Sequence, residues 1–365
     1  MLDKNFYCVL MAGGYGDKLW PWSREERPKQ FISVGTSGMS MARMAYEKCR
    51  GIVPAENILI ITLNKYRQCV RENIPEIPEE NILLEPVGRH TAPCTVYSTY
   101  SILKRNPGAV VAMIPADHII NETELFQNTI EKAMLEAMQK DILMVFGVIP
   151  SRPDPHYGYI QVMGGKAARN SEALSQVKTF TEKPDIAVAE AFCKSGEFFW
   201  NSGIFVWKAS VIKEECERYI PNITSLFKGW EKSIGTPEEA SFIQKVYADC
   251  PKLSIDYGVM EKTSRAWIYP VRFKWMDLDS WEAMYDNIPL KDKDGNVCNA
   301  HHKLFKDNKD CLILSGNKER LIAIRGLENY VVVDTDDVLL ICPKESEAYN
   351  DLASSIGFSD FESFR

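Results

Sequence analysis

The sequence predicts an α/β protein with a mostly parallel mixed sheet, followed by a small domain of short strands. Three features predict it. Apolar runs without alternation, beginning with Phe6–Met11 (FYCVLM), recur between amphipathic helical stretches, as strands covered on both faces do. A glycine-rich, cationic stretch at residues 12–31 (AGGYGDKLWPWSREERPKQF) follows the first run, where a strand turns into a loop. Beyond about residue 287, helical signals give way to short apolar runs separated by turns.

Taken in order, residues 40–53 carry apolar side chains at Met41, Met44, Ala45, Cys49 and Ile52, helical spacing with Ser40 as the cap. Residues 57–62 (NILIIT), 81–85 (NILLE), 109–115 (AVVAMIP) and 142–148 (ILMVFGV) read as strands, with helices near 65–72, 91–104 and 123–140 between them. From Tyr157 the segments YGYIQV, VKTFTEKP and FFWNSGIFVW are strand-like, separated by helices such as 186–193, and are expected to shape a pocket for a second substrate. Residues 237–250 read as a helix, and 266–273 (AWIYPVRF) as a strand ending beside WMDLDSW. A polar break (PLKDKDGN) precedes CLILS, RLIAIR and NYVVVDTDDVLLICP, a succession that suits a β-solenoid or β-roll without a clear hexapeptide repeat. The 365 residues therefore divide into a catalytic domain at 1–287 and a short β-domain at 288–365.

With 45% hydrophobic and 25% charged residues the chain can bury a sizeable core, which excludes disordered and fibrous classes. A net charge of −7 without a basic tail or stripe excludes a general nucleic-acid binder. Ten cysteines are scattered singly without C-x-x-C, and none pairs with the five histidines at metal-site spacing, so a reducing cytoplasm is expected. No apolar stretch approaches the length of a membrane span, and neither secretion nor a membrane is expected.

In the loop after the first strand, Gly13, Gly14 and Gly16 can adopt φ > 0 and bring backbone N–H groups close to an anion. Lys18, Arg24, Arg27 and Lys29 add cationic side chains, so the stretch reads as a cradle for a polyphosphate. It is neither G-x-G-x-x-G, because Leu19 stands at the third glycine position, nor Walker A, because Asp17 precedes Lys18 and Leu19 follows it.

The stretch resembles the signature of the sugar-phosphate nucleotidyltransferases, G-G-x-G-T-R-L-x-P followed by P-K. With Trp20, Pro21, Ser23, Arg24, Pro28, Lys29, Gln30 and Phe31, it is similar to the mannose-1-phosphate guanylyltransferase branch of that family. It departs at Asp17-Lys18, where the family has Thr-Arg. The resemblance runs over nearly the whole chain, with motifs in the family's order. It implies a Rossmann-like, glycosyltransferase-A-type domain followed by a small left-handed β-helix. It further implies GTP and α-D-mannose 1-phosphate as substrates, GDP-mannose and pyrophosphate as products, and Mg²⁺ as cofactor.

In such a reaction the sugar phosphate is already a competent nucleophile and no general base is needed; two anions must be brought together in line. Two like unit charges 4 Å apart repel by about 4 kcal/mol at an effective dielectric near 20, so cations must converge on the site. Asp117, in IPADHII, follows an apolar strand, where α/β sheets place ligand groups, and a carboxylate there suits Mg²⁺. The family's metal aspartate lies in a similar P-A-D-H segment; His118 is read as structural. Asp277, in WMDLDSW, resembles the second metal aspartate, with Asp279 as its competitor.

The resemblance further implies that Ala12, Gly13, Gly14, Gly16, Lys18 and Lys29 hold the triphosphate. In EPVGRHTAP, which resembles the guanine-reading segment, it assigns Glu85, Pro86, Gly88, Arg89 and Thr91 to the nucleotide, with His90 in place of the usual asparagine. The sugar phosphate falls to Tyr157 and Gly158 (Y-G-Y), Glu182 and Lys183 (E-K-P), Asn201 (N-S-G) and Asp256, with Lys262 structural. Lys18, Lys29, Lys183, Asp117 and Asp277 would be the catalytic set.

Two rivals are a transferase for another hexose 1-phosphate and nucleotide, and a catalytically weak regulatory subunit, which Asp17-Lys18 favours. No mannose 6-phosphate isomerase activity is expected. The β-helix is the candidate self-association surface of a homodimer.

Overall fold

In the computed structural model, residues 3–14, 17–33, 38–171, 173–288, 290–356 and 359–364 are described. In chain order the first strands are β1 (Phe6–Met11), β2 (Ile58–Leu63), β3 (Ile82–Glu85), β4 (Val110–Pro115), β5 (His118–Ile120), β6 (Leu143–Val148), β7 (Tyr159–Val162), β8 (Ser175–Thr181), β9 (Phe198–Lys208), β10 (Ala266–Pro270) and β11 (Trp275–Asp277). They are followed by β12 (Val297–Cys298), β13 (His302–Lys306), β14 (Leu312–Ser315), β15 (Leu321–Arg325), β16 (Tyr330–Asp334) and β17 (Leu339–Pro343). The chain forms two compact units, one of Met1–Gly13, Met44–Ala116 and Ile120–Trp275, the other of Gly14–Arg43, Asp117–Ile119 and Met276–Arg365.

The first unit is built on a nine-stranded sheet of order β3-β2-β1-β4-β9-β6-β10-β8-β7. Strands β3, β2, β1 and β4 run parallel, as do β6 and β10. Cys8, Val9 and Leu10 of β1 have no exposure, which is what an uninterrupted apolar run requires when helices cover both faces. The helices Met41–Arg50, Arg67–Asn73, Thr91–Arg105 and Thr123–Gln139 lie where helical spacing places them, and the Ser40 hydroxyl accepts from Arg43 N–H (3.2 Å) as the predicted cap.

The sheet is interrupted by the eleven-residue β9, which runs antiparallel between β4 and β6, bulges against β6 between Val145 and Gly147, and also pairs β7. Two predicted strand starts are 3₁₀ turns instead. The Asn57 amide donates to the carbonyls of Lys4 and Phe6, and the Asn81 amide to those of Glu56 and Ile58, so each asparagine closes the entry to the neighbouring strand. The helix Ala209–Tyr219 was not anticipated, although Val211, Ile212 and Cys216 have helical spacing and are buried.

The second unit is dominated by a coil of short strands. Strands β12, β14 and β16 stack in parallel and β17 closes that sheet antiparallel, while β13 and β15 form a second parallel pair. His302 stands opposite Leu321 and Leu312 opposite Val331, a displacement of 19 residues in both registers, so the repeat is one long coil and not a hexapeptide. The left-handed residues recur with it: Asp307 and Asp310 in one coil, Gly326 and Asn329 in the next. Asn308 ties the coils together, donating to Ile324 O (2.8 Å) and accepting from Leu327 N–H (3.0 Å). Cys311, Ile313 and Val332 fill the coil, joined by Phe305, Ile322 and Ile324.

Candidate functional site

Three groups of predicted residues can be built up within the units. In the second unit, Asp117 immediately precedes β5 and Asp277 ends β11, and these two strands pair, which brings the carboxylates side by side from positions 160 residues apart. Ser280 then caps the helix Trp281–Asn287 by accepting from Ala283 N–H, and Trp281 is 1% exposed, which explains the Ser-Trp that follows Asp277. Lys29 opens the 3₁₀ turn Lys29–Phe31 after Pro28, and the Gln30 amide donates to Gly14 O (2.9 Å).

The Lys29 ammonium donates to Asp117 Oδ2 (2.8 Å), Asp277 Oδ1 (3.0 Å) and Leu278 O (3.3 Å). Burial disfavours its charge, but the two carboxylates outweigh that and hold it firmly protonated. Burial alone would raise the Asp117 carboxyl; Lys29, and then His118, overcome this and hold it at about 2. His118 Nε2 lies 3.8 Å from Asp117 Oδ1 and 4.0 Å from Asp277 Oδ2, so it belongs to the cluster and not only to the structure around it. The result is two carboxylate groups, each about a quarter exposed, bridged by one cation.

In the first unit, β1 and β4 are parallel neighbours, with β2 and β3 on the other side of β1, so the strand order switches beyond Met11 and Pro115. Ala12 and Gly13 follow directly, Ala12 accepting from the Thr62 hydroxyl (2.7 Å). The expected left-handed glycines are not found at Gly13 or Gly14, neither of which has positive φ. A Cβ on Gly13 would make a tight contact with Glu85 Oε2 at 3.0 Å; Gly14 meets nothing within 4 Å, and Gly16 lies outside the described residues. Glu85 is 4% exposed and accepts from the Tyr247 hydroxyl (2.8 Å). Burial lifts its carboxyl to about 7 against the lowering effect of that bond. No sequence signal linked Tyr247 to Glu85, since they stand 162 residues apart.

Pro86 is exposed and Gly88 half-buried. Arg89 donates to Tyr247 O (3.2 Å) and Ala248 O (3.4 Å) in the last turn of the helix Glu239–Asp249, and Thr91 accepts from Ile255 N–H (2.9 Å). Both side chains therefore fasten this segment to residues 247–255. His90 has φ 65° and ψ −167°, a region that is nearly exclusive to glycine.

The third group surrounds Gly158, which is buried and immediately precedes β7. A Cβ on Gly158 would come within 2.5 Å of Glu182 Oε2. Asn201 N–H donates to Gly158 O (2.8 Å), and its side-chain amide donates to Asp256 Oδ1 (2.9 Å) while accepting from Gly203 N–H (2.9 Å). Burial, and next the Asp256 charge, lift the Glu182 carboxyl to about 7; burial likewise raises Asp256. Lys183 is exposed with φ 44°, a strained conformation that turns its side chain out beside these acids. Tyr157 is wedged between Trp200 and Trp275 at 5.0 and 5.2 Å between ring centroids.

Lys18 is exposed. Arg24, which the sequence suggests as a polyphosphate cation, is instead spent on protein acceptors: Asp337 Oδ1 (2.6 Å), Thr335 Oγ1, Pro21 O and Phe364 O. All ten cysteines are free thiols, and among the described residues no helix is long and apolar enough to cross a membrane.

A mixed sheet whose strands lead into a glycine-bearing loop and a carboxylate-bearing loop, followed along the chain by a parallel β-coil, is the fold expected of a nucleotide-transferring enzyme. The profile of the nucleotidyl transferase family matches residues 7–293, and the chain belongs to that family. A mannoseP isomerase/GMP-like β-helix domain matches residues 305–349. Within the family the chain is similar to mannose-1-phosphate guanylyltransferase 2 of Escherichia coli O157:H7, at 35% identity over 354 residues covering 94% of this chain and 72% of that protein. It is also similar to mannose-1-phosphate guanylyltransferase of Klebsiella pneumoniae, at 34% identity covering 92% and 70% respectively. A solved structure from Thermus thermophilus, described as a mannose-1-phosphate geranyltransferase, superposes with a TM-score of 0.84 at 29% identity over 97% of this chain and 100% of its own.

Proposed function

We propose that the protein transfers GMP from GTP to α-D-mannose 1-phosphate, giving GDP-mannose and pyrophosphate. The observation that carries this reading is the Lys29–Asp117–Asp277 cluster, in which the cation at the end of the signature loop is seated between two aspartate side chains. The relatives' names supply the substrates. In this reading residues 1–287 are catalytic and 288–365 form the β-helix.

The sugar phosphate attacks the α-phosphorus of GTP as its O–P bond to pyrophosphate breaks, so no protein group need remove a proton. In this reading Lys18 and Lys29 neutralise the triphosphate together with backbone N–H groups of Ala12, Gly13 and Gly14; Gly16, which the resemblance also assigns to it, lies outside the described residues. Glu85, Pro86, Gly88, Arg89 and Thr91 form the base pocket, with Glu85 presenting a carboxyl to guanine N–H donors and Arg89 and Thr91 holding the segment in shape. Glu182 and Asn201 receive sugar hydroxyls, Asp256 orients the Asn201 amide, Tyr157 and Gly158 shape the floor, and exposed Lys183 meets the sugar phosphate.

The hard oxygen donors of Asp117 and Asp277 fit Mg²⁺: Lys29 engages Asp117 Oδ2 and Asp277 Oδ1, and Asp117 Oδ1 and Asp277 Oδ2, which face His118 Nε2 at 3.8 and 4.0 Å, would hold the ion. When bound, the ion supplies charge neutralisation for phosphate oxygens. Pyrophosphate release should be followed with mannose 1-phosphate and Mg²⁺ in the presence of GTP, UTP, dTTP or ATP, then with glucose 1-phosphate. Rapid release with GTP and mannose 1-phosphate alone is the expected result. Preference for another pair would move the substrate assignment, and binding of GDP-mannose without turnover would favour the regulatory reading.

A further inference from the structure

We propose that Arg24 is a positioning residue, clamped by the end of the β-helix and not by substrate phosphate, and that it sets the geometry of the signature loop carrying Lys18 and Lys29. A guanidinium has five N–H donors in a fixed plane. Here Nε donates to Pro21 O (2.9 Å), Nη1 to Phe364 O, and Nη2 to both Thr335 Oγ1 (3.3 Å) and Asp337 Oδ1 (2.6 Å). The acceptors come from three separate segments: the loop itself, the turn between β16 and β17, and the 3₁₀ segment Ser359–Phe364. The Trp20 indole N–H donates to the same Phe364 carbonyl (2.6 Å), and the Arg24 guanidinium lies 5.9 Å from the Trp20 ring centroid. Little of the fork is left for a phosphate.

The clamp falls where it can act on the loop. Ser23 N–H donates to Leu19 O (2.9 Å), and Arg24 and Arg27 exchange reciprocal backbone bonds (3.0 Å each), so Arg24 closes the turn that delivers Pro28 and Lys29. Gln30 then returns to Gly14 O, closing the loop upon itself. Without the clamp the turn loses its anchor and its backbone bonds open more readily, so Lys29 reaches Asp117 and Asp277 from a less defined loop. Misplacing a catalytic group lowers turnover more than binding.

The kinetic consequence rests on the proposed transferase activity, and a second readout does not. Arg24→Lys and Asp337→Asn are each expected to lower kcat about tenfold while KM for GTP stays within about threefold, the double variant being no worse than either single one because both remove the same link. In hydrogen exchange, both single variants should lose amide protection at Ser23 and Arg27 whether or not GTP proves to be the substrate. If Arg24 gripped the triphosphate, Arg24→Lys would raise KM for GTP and Asp337→Asn would leave kcat unchanged; that pattern, or unchanged protection in both variants, overturns the proposal.

Discussion

The buried Glu85 carboxyl makes a prediction about stability that is independent of the substrate assignment. Its ordinary value is 4.5 and burial lifts it to about 7 in the folded chain. Between those values the folded state holds a proton that the unfolded state releases, so the contribution is fully present below pH 4.5 and is lost as pH rises through about 7. At 1.36 kcal/mol per unit, the full displacement amounts to about 3 kcal/mol. Glu85→Gln keeps the shape and an oxygen that can accept from Tyr247, but cannot ionise. In urea unfolding, the variant should match the parent within about 1 kcal/mol near pH 5 and exceed it by about 2–3 kcal/mol near pH 8. A gap that is equal at both pH values, or that opens toward acid, would refute the reasoning, since the latter requires a carboxylate that is stabilised when charged.

Four further outcomes follow from the same geometry. Lys29→Met leaves Asp117 and Asp277 facing each other without their cation; kcat should fall by about 10² or more, the scale of losing a preorganised electrostatic group, as read by pyrophosphate release. Gly158→Ala drives a methyl group to within 2.5 Å of Glu182 Oε2, so KM for the sugar phosphate should rise about tenfold or more with little change in KM for GTP; equal changes in both would contradict a sugar-side role. His90→Gly relieves a backbone conformation that costs about 1–3 kcal/mol in a residue with a side chain, and the unfolding midpoint should rise despite glycine's greater freedom when unfolded. Asp17→Thr combined with Lys18→Arg should strengthen GTP binding by about 1–3 kcal/mol, the scale of a charge-assisted hydrogen bond, measurable by calorimetry.

Much of the fold is legible in the sequence because its determinants are local. The run FYCVLM can only be a strand covered on both faces, and β1 has the expected bounds; Ser40 is a cap because its hydroxyl accepts from the first-turn helical N–H of Arg43, three residues on. The position of Asp117 just beyond a strand was likewise readable. Three other features were not. The antiparallel insertion of β9 depends on which strands it meets. The 19-residue coil lacks a short repeat because its period is carried by isolated left-handed positions such as Asp310 and Asn329. Gly13 reads as a conformational glycine, yet it has no positive φ, and what a side chain there would meet is the carboxylate of Glu85 at 3.0 Å.

The sequence by itself determined that a glycine-rich, cationic loop follows a buried strand, that carboxylates stand in motifs suited to phosphate transfer, and that short strands end the chain. Neighbouring residues fix such features through periodicity, capping and turn preferences. Only the tertiary structure decided what each charge serves: Lys29 turns to two aspartates, while Arg24, five residues earlier in the same loop, turns to Asp337 and Phe364. Both are cations of one motif. A buried charge is stabilised only by the acceptors that surround it, and those acceptors lie about 90 to 340 residues away in sequence, where no local pattern reports them.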